Sequence, residues 1–160
     1  MKIVKLEIDY SEYDSFEEME PRDRELAEAA IDAQKGSYAP YSKFNVGAAV
    51  RLEDGTIVQG ANQENSAYPS GLCAERTAMF SAGARHPGKA MVSIAIAGGF
   101  NQAVDDTPCA PCGACRQVMA EYQMIGEKPM SVIMVGARKT LKFEKVDDIL
   151  PFIFDSFNSK

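Results

Sequence analysis

Cys73-Ala74-Glu75-Arg76-Thr77-Ala78 and Pro111-Cys112-Gly113-Ala114-Cys115 decide how this chain folds and what it can do. Each stretch opens a segment of helical composition, Cys73 to Arg85 and Cys112 to Tyr122, so each cysteine cluster falls at a helix N-terminus. Unpaired backbone N–H groups and the positive end of the helix dipole lower a thiol's pKa there, and thiolate is the form that binds metal. Cys112 and Cys115 are three apart and share a face of the first turn. With Cys73 they make three sulfur ligands for zinc. Three protein ligands leave one tetrahedral position open for water, the arrangement of a catalytic rather than a structural zinc. Glu75 stands in the first turn beside Cys73, placed to carry a proton without ligating the metal.

Working outward, the two helices sit among strands. Arg24 to Lys35, rich in Ala, Leu and Glu and stopped at Gly36, predicts a first helix. Phe44 to Val50 reads as a strand, Glu53-Asp54-Gly55 as a hairpin turn, and Thr56 to Gln59 as the returning strand. Asn62 to Leu72 is a polar loop. Ala90 to Ala97 is an apolar run of strand length, Phe100 to Pro111 a long loop, Met130 to Val135 a strand, and Leu141 to Phe143 a short one. Val146 to Phe157 predicts a final helix. Residues 1–21 read as an acidic lead-in, with Ile3 to Tyr10 a short strand or arm and Ser11 to Pro21 a loop or frayed turn. The alternation predicts an α/β domain, a mixed sheet with helices on its faces.

Three thiolates leave zinc with a net negative charge, which weakens it as an acid toward water, so a cation near the sulfurs is expected. Arg76 and Arg116 are the candidates, and Arg76 is favoured; a solvated helix arginine is the competing reading for both. Pro108-Cys109-Ala110-Pro111-Cys112 is a second, overlapping Pro-Cys-x-x-Cys. Cys109 could close a four-sulfur structural site, begin a ferredoxin-type run that lacks its fourth cysteine, or be a spare thiol in a loop. The last is favoured, because a fourth sulfur would leave Glu75 without a role. The lone histidine, His86, follows a predicted helix far from either cluster and reads as a surface residue.

Composition narrows the partners. The 160 residues carry a formal net charge of −6 and are 46% hydrophobic, enough for one domain with a sizeable core. Lys and Arg are scattered, with no basic stripe to follow phosphates, so a small substrate is expected and a nucleic-acid polymer is not. No apolar stretch is of bilayer length, so no membrane partner is expected. Met1 to Asp9 mixes charge with apolar residues and lacks the core of a signal peptide. The expected location is the cytoplasm, where four cysteines are metal ligands or free thiols rather than disulfides.

Five blocks, in order and spacing, resemble the small cytidine deaminases of nucleoside salvage. They are Tyr41-Ser42-Lys43-Phe44-Asn45-Val46-Gly47-Ala48-Ala49, Asn62-Gln63-Glu64-Asn65-Ser66-Ala67-Tyr68-Pro69, the two cysteine stretches (the second extended to Arg116-Gln117), and Leu150-Pro151-Phe152-Ile153-Phe154. The resemblance runs from about Arg24 to about Phe154. It implies a three-layer α-β-α fold with a central mixed sheet over residues 22–160, preceded by an extension, 1–21, longer than the family's usual short form. It also implies zinc on Cys73, Cys112 and Cys115, Glu75 as proton shuttle, and Asn62 and Glu64 on the ribose hydroxyls. Phe44 and Ala74 would line the base and sugar pocket. Phe154 would stack on the base from a neighbouring subunit of a homotetramer with shared active sites. The implied reaction is hydrolytic deamination of cytidine and 2′-deoxycytidine in pyrimidine salvage. The nearest rival is a deaminase of another cytosine-bearing compound such as blasticidin S, against which Asn62-x-Glu64 argues. A polymer-editing enzyme fits the acidic chain less well. A non-catalytic zinc module, a rival of another class, would need four sulfurs and give Glu75 nothing to do.

Overall fold

The computed structural model describes residues 1–155. Six strands form one mixed sheet in the order β1-β6-β5-β4-β2-β3, with β1 Ser11–Tyr13, β2 Phe44–Leu52, β3 Ile57–Ala61, β4 Met91–Phe100, β5 Ser131–Val135 and β6 Thr140–Phe143. Only β4 and β5 run parallel; the other neighbours are antiparallel. Helix α1, Pro21–Ala33, covers one face; α2, Ala74–Arg85, and α3, Gly113–Gly126, cover the other. This is the mixed sheet with helices on its faces that the alternation predicts, in the three-layer α-β-α arrangement that the resemblance implies.

The alternation of β2 sends Ala48, Val50 and Leu52 toward α2 and α3, and Ala49 toward α1. Small residues let the layers close up. A Cβ on Gly47 would lie 2.2 Å from the Ala30 carbonyl oxygen of α1, and one on Gly60 would lie 2.3 Å from the Ala78 nitrogen of α2. Glycine at these two positions therefore sets the helix–sheet distance on both faces.

The topology brings the cysteines together. Both β3 and β4 run antiparallel to β2, so they point the same way. Helix α2 connects β3 to β4, and α3 connects β4 to the parallel β5. Each is a strand–helix–strand crossover, so both helices start at the edge where β3 and β4 end. Cys73 and Cys112 are the N-cap residues of the two helices.

Several boundaries differ from expectation. Helix α1 begins at Pro21 rather than Arg24, because proline is pre-shaped for a first helical turn. Ser11–Tyr13, expected as loop, is a strand on the sheet edge. The expected helix over Val146 to Phe157 does not form: 146–148 make a single 3₁₀ turn and 149–155 are not helical, while 156 and 157 lie outside the described residues. Pro151 disfavours helical backbone at Leu150. Side chains of α3 take the backbone groups instead: Arg116 Nη1 donates to the Ile149 carbonyl at 3.0 Å, and Gln117 bonds both the N–H and the carbonyl of Phe154. Among the described residues no helix is long and apolar enough to cross a membrane.

Candidate metal centre and active site

The sulfurs of Cys73, Cys112 and Cys115 all lie within 4.8 Å of one another. Cys112 Sγ and Cys115 Sγ are 3.6 Å apart, close to the ~3.8 Å edge of a tetrahedron built on zinc–sulfur bonds of about 2.3 Å. All four cysteines are free, and Cys109 does not join the group. The soft donors, their number and their spacing fit zinc, and no fourth cysteine, histidine or carboxylate among the described residues joins them.

Electrostatics favour thiolate at the first of them. Cys73 is held down at about 5, first by a hydrogen bond from the Cys115 thiol and then by the Arg76 guanidinium, against the cost of burial. Cys115 is pushed up, because it donates to Cys73, is buried and faces negative neighbours. Arg76 Nη2 sits 3.4 Å from Cys73 Sγ, where a counter-charge to the sulfurs is needed. Arg116 is turned elsewhere: Nε donates to the Pro111 carbonyl at 2.9 Å and Nη1 to Ile149. It braces the loop that delivers Cys112 against the C-terminal segment.

Glu75 is 4% exposed. Burial raises its carboxyl above the usual range, and the Cys73 charge adds to the effect. A carboxylate lifted this way takes and gives a proton more readily near neutral pH. Ala74 is fully buried beside it. Cys109 is packed against the same core, its thiol pushed up to about 12 chiefly by burial. A Cβ on Gly98 would meet Cys109 Sγ at 2.8 Å and the Phe44 ring at 2.9 Å, so Phe44 and Cys109 converge over that glycine. Phe44 also stands edge-on to Phe100, with ring centroids 5.1 Å apart.

A cleft of about 270 Å³ opens over Cys73 and Arg76, walled by Asn62, Glu64, Tyr68 and Leu72. Glu64 is fixed by the turn before β2: Tyr41 N donates to Oε2 at 2.8 Å, and Ser42 N lies 3.3 Å away. These contacts, with the Ser42 hydroxyl first among the causes, keep the carboxyl below its usual range. The charged group still has acceptor positions to offer. Asn62 is more committed. Its Oδ1 accepts from Val46 N and the Ser37 hydroxyl, and its Nδ2 donates to the Phe44 carbonyl. One N–H of that amide remains for a ligand.

The fold thus gathers Asn62, Glu64, Cys73 and Arg76 on one cleft, with Cys112 and Cys115 at its metal end and Glu75 and Ala74 buried behind. Phe154 lies outside the cleft and is 63% exposed. Tyr68 and Leu72 were missed as cleft walls, because a polar loop with Pro69 and Gly71 carries no period to show which side chains turn inward. His86 caps the C-terminus of α2, away from the sulfurs.

Residues 20–130 match the family described as the cytidine and deoxycytidylate deaminase zinc-binding region. A cytidine deaminase of Halalkalibacterium halodurans is 49% identical over 98 residues, 60% of this chain and 68% of that protein. One from Sporosarcina psychrophila is 43% identical over 125 residues, 76% of this chain and 83% of that one. A crystal structure of cytidine deaminase from Burkholderia pseudomallei superposes with a TM-score of 0.69 at 41% identity, covering 81% of this chain and 97% of its own.

Proposed function

The chain belongs to the cytidine and deoxycytidylate deaminase zinc-binding family, and from that premise we propose that it hydrolyses free cytidine and 2′-deoxycytidine to the uridines and ammonia. The observation that carries the reading is a three-sulfur cluster with a buried glutamate at its side, opening on a cleft with an amide and a carboxylate.

Cys73, Cys112 and Cys115 would hold a zinc ion, and the chemistry it would supply is the activation of a water at neutral pH. Glu75 would carry a proton from the attacking water to N3 of the pyrimidine as the oxygen adds at C4. It would then take the proton of the new C4 hydroxyl and deliver it to the amino group, so that the C4–N bond breaks, ammonia leaves and the C4 carbonyl forms. Arg76 offsets the negative charge on the sulfurs and holds Cys73 as thiolate. At the other end, the spare N–H of Asn62 and the ionised Glu64 offer one donor and one acceptor to the sugar hydroxyls. A site with committed polar partners discriminates strongly against a bare base. Phe44 and Ala74, neither of which lines the cleft in the single chain, are proposed to border the base and sugar. Phe154 is presented by α3 through Gln117 to stack on the base in a neighbouring subunit of a homotetramer. The proposed setting is pyrimidine salvage in the cytoplasm. Residues 22–160 form the deaminase domain and 1–21 an extension, a division supported by the start of the family match at residue 20.

Loss of cytidine absorbance with purified protein tests the reading. Turnover that stops with a zinc chelator and returns with zinc supports it. Turnover unaffected by complete zinc removal, or no reaction by the zinc-loaded protein on either nucleoside, overturns it.

A further inference from the structure

The segment before β1 reads Lys2-Ile3-Val4-Lys5-Leu6-Glu7-Ile8-Asp9-Tyr10. Its even positions from Val4 to Tyr10 are apolar, the alternation of a half-buried strand. Yet Val4 is 78%, Leu6 60% and Ile8 42% exposed. The pairing register of β1 extends back to the end of this segment. Ser11 pairs with Lys142 and Tyr13 with Thr140, so the next residue back in that register, Tyr10, faces Phe143; their rings are 5.4 Å apart. Strand β6 ends at Phe143. Residues 2–9 therefore overhang the sheet edge as a strand-patterned arm with no strand beside it among the described residues.

Its charge pattern selects a partner. Lys2 and Lys5 lie in the first half, Glu7 and Asp9 in the second. Parallel alignment of two such arms sets like charges side by side. Antiparallel alignment keeps the apolar positions on one face only in registers that pair even with even residues. Centring on Lys5 opposes it to its own copy, and centring on Glu7 does the same. Centring on Leu6 pairs Val4 with Ile8, Lys5 with Glu7 and Leu6 with Leu6, opposing no like charges. We infer that this arm is a self-association strand, pairing antiparallel with the same arm of a second copy about a two-fold axis at Leu6. The paired ribbon carries its apolar stripe onto the Tyr10–Phe143 contact of each copy.

Sedimentation of the full-length zinc-loaded protein tests this by charge exchange. In Lys5→Glu the pair at positions 5 and 7 becomes Glu against Glu; in Glu7→Lys it becomes Lys against Lys. Either change should weaken the arm-dependent association about tenfold, since each converts two symmetry-related favourable cross-strand pairs into repulsive ones. An equimolar mixture of the two variants restores opposite charges at both places and should regain wild-type association, as should the double exchange within one chain. Leu6→Asp should abolish it, and none of these changes should alter cytidine turnover per site. Single variants that associate like wild type, or a mixture no stronger than its components, overturn the inference. So does arm-dependent binding to anionic lipid vesicles with self-association unchanged across the variants. The association outcomes do not depend on whether the chain deaminates cytidine.

Discussion

Replacing Glu75 with Gln keeps the shape of the side chain and removes its proton. The expected result is zinc bound at wild-type stoichiometry with kcat lowered at least 10²–10⁴-fold, the range of a lost general acid–base group. Parallel metal analysis and a cytidine assay check it. The same change carries a stability signature in the metal-free protein. Burial raises the Glu75 carboxyl in the folded chain above its ordinary value of 4.5, so the folded state holds the proton longer than the unfolded one. Stability from this group is fully present below 4.5 and is lost as pH rises toward the folded value. Zinc-free Glu75→Gln should therefore melt at or above zinc-free wild type at neutral pH, and melting curves across pH read this directly. Arg76→Ala removes the guanidinium 3.4 Å from Cys73 Sγ and should weaken zinc binding 10–100-fold, measured by competition with a chelating dye. The sulfur cluster and the approach of Arg76 to Cys73 were legible because a helix N-terminus fixes its first turn tightly. The internal commitments of Asn62 were not, since its partners Ser37, Phe44 and Val46 come from a distant loop and strand.

At the scale of elements, the site depends on where α2 and α3 begin, and that depends on how closely they approach the sheet. Gly60→Ala would press a methyl group onto the α2 backbone at Ala78, which no side-chain rotation can relieve. A loss of about 1–3 kcal/mol is expected from overpacking, with weaker zinc binding because Cys73 moves with α2. Denaturant unfolding and a zinc titration check both effects. A mixed sheet with helices on its faces was readable from the alternation of strand and helix signals, and the three-layer order from the family resemblance; the role of Gly47 and Gly60 between the layers was not read. The C-terminal segment was not. Its composition suits a helix, but Arg116 and Gln117 of α3 take its backbone groups, and that competition is invisible in the segment itself. The start of α1 was legible in principle, because Pro21 marked it.

For the whole molecule, the proposed homotetramer makes the site a joint product of subunits. If Phe154 reaches a neighbour's pocket, mixing Glu75→Gln with Phe154→Ala subunits should recover activity above the sum of the separate variants after dissociation and reassembly. Recovery no greater than that sum would confine Phe154 to its own subunit or to no catalytic role. The role of Phe154 was not legible in its own position, because an exposed phenylalanine looks the same whether it meets a neighbour or water. The central claim rests on what surrounds the metal, and zinc-edge X-ray absorption of the purified protein reads that surrounding. Three sulfurs and one light atom are predicted. Four sulfurs, with Cys109 drawn in to close the shell, would contradict the account.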